Sequence, residues 1–82
     1  MALSARDRQI LLVLDEVREF TTGGVAAKLP MFGANRHERS RAVISCLVSL
    51  ERCGLVARLD DQRLVCWRRT EFGSTALELD EP

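Results

Sequence analysis

At 82 residues the chain is one domain built on a single core cluster, with no room for a separate catalytic domain. Its 46% hydrophobic and 29% charged residues suit a soluble globular protein. The longest apolar run, Ile10 to Leu14, falls far short of the ~20 residues that span a bilayer, which excludes a membrane-spanning reading. The formal net charge of zero argues against a uniformly basic nucleic-acid binder, but the charge is unevenly placed. Between Thr22 and Arg69 nine basic residues face four acidic ones, a balance of +5, and the two ends carry three basic against eight acidic, or −5. Such an asymmetry gives a neutral protein one electropositive face.

The N-terminus carries Arg6, Asp7 and Arg8 and no apolar stretch closed by a small-residue cleavage site, so no signal peptide is expected and the chain is assigned to the cytoplasm. Ser4, three residues before Asp7, marks a helix start, and a first helix is predicted over about 5–20. At 100° per residue Ile10, Val13, Leu14, Val17 and Phe20 form its core face, with Leu12 opposite and Leu11 at the edge. Thr21 and Thr22 cap a short second helix over about 23–29, ended by Pro30, and residues 30–34 form a loop.

Asn35 with Glu38 three residues on is a variant of the capping box, and it opens a third helix over about 36–53, with Gly54 as the left-handed stop. Val43, Cys46, Leu47 and Leu50 fall in one sector, and His37, Arg41, Ser45, Val48 and Arg52 in the opposite one. Beyond Gly54 the period changes to two: Leu55 to Leu59 and Leu64 to Arg69 alternate around a turn at 60–63, which predicts a β-hairpin over about 55–69 anchored by Trp67. A short segment over 72–79 adds a helical turn or two.

Three cysteines, Cys46, Cys53 and Cys66, stand without a C-x-x-C pair, and their spacing with His37 is not that of a zinc site. They are read as small hydrophobes in a reducing compartment, with no metal and no cofactor expected. Gly23-Gly24 lacks the Gly-Lys-Ser/Thr of a nucleotide loop, and a single histidine with no nucleophile arrangement or paired-carboxylate cleft points away from an enzyme.

The order helix, short helix, long helix, hairpin, with Leu47, Leu50, Glu51, Gly54, Leu55 and Val56 leading into the hairpin, resembles a winged helix-turn-helix domain. The expected class is therefore mainly α with a small β-hairpin (α+β), three helices plus a two-stranded wing. The wing is most similar to that of the multiple-antibiotic-resistance regulator (MarR) class, in which an Asp-x-Arg is followed by a Thr-x-x-Gly: here Asp61-Gln62-Arg63, then Thr70 to Gly73. The chain departs from that class in a shorter wing, in Arg69 where an apolar residue is usual, and in lacking long dimerisation helices.

The resemblance implies a sequence-specific double-stranded DNA-binding protein, a transcriptional regulator of prokaryotic, plasmid or phage type. A third helix of about 27 Å suits the major groove. Its first half presents Arg36, His37, Arg39, Ser40 and Arg41, with Ser45 on the same outward sector as His37 and Arg41. Arg63 at the hairpin tip is placed at the backbone or minor groove, or in a salt bridge with Asp60 or Asp61. Thr22 and Lys28 suit phosphate positioning, and Arg58, Arg68 and Arg69 either widen the basic band or solvate the hairpin. A homodimer is expected, held by Leu11, Leu12, Leu77 and Leu79 as an apolar patch outside the core. The alternative function is a winged-helix module that binds a protein partner, favoured by the neutral charge, the acidic wing tip and the exposed leucines.

Overall fold

The computed structural model describes residues 3–60 and 63–80. Among these residues four helices and a three-stranded antiparallel sheet follow in the order α1 (Ala5–Val13), β1 (Phe20–Thr21), α2 (Thr22–Ala27), a 3₁₀ turn (Pro30–Phe32), α3 (Arg36–Arg52), β2 (Val56–Leu59), β3 (Cys66–Arg69) and α4 (Glu71–Leu79). The class is mixed α+β. No helix among the described residues is long and apolar enough to cross a membrane.

Ser4 caps α1 by accepting the Asp7 N–H at 3.1 Å, but the helix is nine residues long and stops well before residue 20. The cause is local. Leu14 is extended, and the Asp15 carboxylate turns back to accept the N–H groups of Val17 at 2.8 Å and Arg18 at 2.5 Å, offering the backbone an alternative to helical bonding. Shortening α1 re-centres its buried face on Ile10, Leu11 and Leu14, and leaves Val17, expected in the core, 83% exposed.

Phe20 and Thr21, instead of ending that helix, form an edge strand. Phe20 lies opposite Trp67 and Thr21 opposite Cys66, so the sheet order is β1-β3-β2 and the hairpin has a third strand. Thr21 serves twice, since its hydroxyl also caps α2 by accepting the Gly24 N–H at 3.0 Å. On the other side, Val56 to Leu59 pair with Arg69 back to Cys66. Trp67, at the centre of the middle strand, is fully buried, and its indole N–H donates to the Thr22 hydroxyl at 2.9 Å.

α3 begins and ends as its sequence signals require. Asn35 accepts the Glu38 N–H at 2.9 Å, and the Glu38 carboxylate reaches back one residue beyond the cap, to the Ala34 N–H at 2.9 Å. At the other end Gly54 adopts φ 79°, its N–H bonds to the Glu51 carbonyl, and the Leu55 N–H bonds to the Leu50 carbonyl: a Schellman stop that only glycine takes without strain.

The Thr70 hydroxyl caps α4 by accepting the Gly73 N–H at 3.0 Å, and donates to the Gly54 carbonyl at 2.7 Å. Gly73 lets α4 press onto the α3–β2 corner; a Cβ there would fall on the Leu55 carbonyl oxygen. α4 is thus a full structural helix where a turn or two was expected. Leu77 joins Ile10, Leu11, Val25, Val43, Leu47, Leu50 and Trp67 in one core cluster. Arg69 fastens the parts together: its backbone N–H bonds to the Asp15 carbonyl at 2.9 Å and its guanidinium to the Leu11 carbonyl at 2.8 Å, near the C-terminal end of α1.

Candidate nucleic-acid interface

The apolar face of α3 is buried only from Val43 onward, so the first two turns of the helix project past the core. They divide into two faces. Arg36, Arg39 and Ser40 turn toward α2, and with Thr21, Gly23, Gly24, Ala26 and Ala27 they line an open groove of about 420 Å³. His37, Arg41 and Ser45 lie on the outward face and are exposed. Six of the expected residues are therefore carried by one helix, three at the groove and three beside it.

The charge at this end is uncompensated. Glu38 is the single acid among the three arginines, and its carboxylate is committed to the Ala34 N–H. Among the described residues no carboxylate is ion-paired with Arg36, Arg39 or Arg41. Arg39 is steadied by donating to the Gly33 carbonyl at 3.2 Å, which fixes one guanidinium at the groove wall while Arg36 stays exposed. The N-terminus of α3 adds partial positive charge of its own. Gly23 has open space where a side chain would stand, so the backbone of α2 is approachable from this groove.

The remaining expected residues are distributed elsewhere. Thr22 is half-buried, and its hydroxyl holds the Trp67 indole, so its first role is structural. Lys28 is exposed at the C-terminal cap of α2 and does not line the groove. Arg63 is exposed on the β2–β3 connection and makes no ion pair with Asp60, which instead lies 4.0 Å from Arg58. Asp61 and Gln62, the first two residues of the Asp-x-Arg signal, lie outside the described residues. Of the arginines expected to widen the basic band, Arg69 is turned inward, and Arg58 stacks 5.7 Å over the buried Trp67 ring.

The groove wall contributed by Thr21, Gly23 and Gly24 was not among the expected site residues. Its one signal in the sequence is the small-residue run Thr-Thr-Gly-Gly, which marks a helix start and gives no direction to what faces it. The patch expected to hold two copies together is not present as four exposed leucines: Leu11 and Leu77 belong to the core, and only Leu12 and Leu79 are exposed. The shortened α1 turns Leu11 inward, and α4 docks through Leu77.

No protein-family model, curated protein or solved structure matches the chain, so its functional reading rests on its own residues.

Proposed function

We propose that the chain is a small sequence-specific double-stranded DNA-binding protein of winged helix-turn-helix type, acting as a regulator of transcription. The observation that carries this reading is the projecting end of α3, with three arginines free of carboxylate partners among the described residues, set against a groove of bare backbone and small side chains. The two faces of that end suit two tasks. Arg36 and Arg39, with Ser40 and the approachable backbone at Gly23, suit a phosphate, which positions a protein on the duplex without reading it. His37, Arg41 and Ser45 on the outward face suit base edges in the major groove, where an arginine pairs with guanine through two hydrogen bonds. α3, at 17 residues and about 26 Å, has the length and width the groove admits. Arg63 then meets the flanking backbone from the hairpin.

One feature departs from a standard helix-turn-helix. The link from α2 to α3, Lys28 to Asn35, exceeds the usual three- or four-residue turn and contains the 3₁₀ turn that buries Phe32.

Titration of duplex DNA at about 50 mM and about 200 mM salt tests the reading: contact with four phosphates gives a log–log slope of about −3.6. Absence of binding at the lower salt favours the second reading, a module that holds a protein partner, which is supported by the exposed Met31, Leu64 and Phe72.

A further inference from the structure

The groove between α2 and the start of α3 is a concave site as well as a charged surface. Arg39 and Ser40, three and four positions after Arg36, share a helix face with it and stand across about 420 Å³ of open space from Thr21, Gly23 and Gly24. No carboxylate lines this space, and the nearby Glu38 is held by the Ala34 N–H. Arg39 uses one Nη to donate to the Gly33 carbonyl at 3.2 Å, and the edge formed by its Nε and second Nη has no partner among the described residues. That edge is the one that pairs with two oxygens of a single anion. The Thr21 hydroxyl accepts the Gly24 N–H, which leaves its own proton to donate, and Ser40 adds a second hydroxyl. Where a Cβ of Gly23 would stand there is nothing within 4 Å, so this wall admits a ligand.

We propose that this groove binds a terminal phosphate, the dianion of a phosphate monoester carried on a small molecule. Two guanidinium charges and two hydroxyls answer the two negative charges and three acceptor oxygens of a terminal phosphate. A phosphodiester of a nucleic-acid backbone brings a single charge and two free oxygens, and leaves part of this donor set unused. The volume lies within the range of small-molecule sites, roughly 300 to 1,000 Å³, and exceeds what a bare phosphate fills, so the ligand carries a substituent beside its phosphate. The site shares its walls with the seat assigned above to a backbone phosphate, and it needs no DNA to be occupied.

Nuclear magnetic resonance titration of the full chain without DNA, at constant ionic strength and about pH 7.5, where a monoester is mainly dianionic, reads the proposal directly. Inorganic phosphate and glycerol 3-phosphate should shift the Gly23 and Gly24 amides and the Arg39 Nε signal saturably, with Kd on the order of 1 mM, and dimethyl phosphate should bind at least about tenfold more weakly. Arg36→Ala and Gly23→Glu should each weaken glycerol 3-phosphate by about tenfold or more with melting unchanged, since one side chain is exposed and the other enters open space. Arg41→Ala, outside the groove, should leave it in place. Shifts that fail to saturate by about 20 mM, that dimethyl phosphate matches, or that survive both groove substitutions mean an adventitious ion only and overturn the proposal. A parallel titration with duplex DNA separates the two sources of phosphate. Saturable monoester binding by a chain that binds no duplex upholds this site and removes the DNA reading, whereas duplex binding without monoester binding overturns this site and leaves the DNA reading in place.

Discussion

Arginines in the hairpin and arginines at the start of α3 are equally basic in sequence and differ in what the fold asks of them. In the hairpin, Arg69 reaches inward to the Leu11 carbonyl and Arg58, though exposed, lies over the Trp67 ring, so both charges have contacts within the fold. At α3, Arg36 and Arg41 reach into solvent from a helix end that the core does not need. A run of positive charge in a sequence thus marks where a cation is, and only the position of carbonyls, rings and carboxylates around it decides whether it is available to a ligand. Four substitutions separate the two regions by stability.

The largest effect belongs to the ring that the hairpin is built on. Trp67→Ala removes a fully buried side chain from the middle strand together with its bond to Thr22, and should lower stability by about 3 to 5 kcal/mol in a denaturant titration. Wild-type stability in that variant would dissolve the structural side of the comparison.

Arg69→Ala comes next. Loss of the charged bond to the Leu11 carbonyl should lower stability by about 1 to 3 kcal/mol. The buried Nε of Arg69 has no partner, so its removal relieves one unsatisfied donor and holds the loss toward the lower end. Arg41→Ala, by contrast, should stay within about 0.5 kcal/mol of the wild type, since its side chain is exposed and away from the core. Equal losses in the two variants would erase the distinction.

Arg58→Ala should fall between them. Its guanidinium lies 5.7 Å over the Trp67 ring at an exposed site, an arrangement worth about 0.5 to 1 kcal/mol, and its 4.0 Å approach to Asp60 adds little.

Smallest is a pH effect at the turn after α1. The backbone N–H groups of Arg18 and then Val17 hold the Asp15 carboxyl below its ordinary value of 3.8. A depressed folded-state pKa contributes stability that is fully present above the unfolded-state pKa and is lost as pH falls through the folded-state one. Asp15→Asn should therefore flatten the acid limb of the stability profile below about pH 4 by lowering the neutral plateau slightly, the two proteins converging in acid. An unaltered acid limb would mean that this turn does not depend on the charge.

What was legible in the sequence follows the range of each interaction. The caps of α3, its stop at Gly54 and its buried sector at Val43, Leu47 and Leu50 are set by residues within a few positions of one another, and the expected bounds of 36–53 differ from the observed helix by one residue. The hairpin was legible by its alternation. α1 was overextended because apolar spacing carries through Val17 and Phe20, while the competing Asp15 turn leaves no periodic trace. β1 has two residues and no period at all; it exists because β3 offers an edge. The burial of Leu11 and Leu77 depends on that shortened helix and on the docking of α4, and both are tertiary. In the candidate interface the basic helix end was legible, and the opposing wall of Thr21, Gly23 and Gly24 was not, because nothing in those residues names their neighbour.

The account turns on the projecting end of α3, and the salt dependence of duplex binding tests it in one comparison. Wild-type chain, Arg36→Ala and Arg41→Ala are titrated with duplex DNA across the same salt series, with melting followed in parallel. Arg36→Ala should reduce the magnitude of the salt slope by about 1 and weaken binding to all sequences alike, as loss of one phosphate contact does. Arg41→Ala should cost about 1 to 3 kcal/mol on the preferred sequence and far less on others, which narrows the preference itself. Both variants should melt as the wild type does. Salt slopes and affinities identical in all three proteins would contradict the account and remove α3 from the interface.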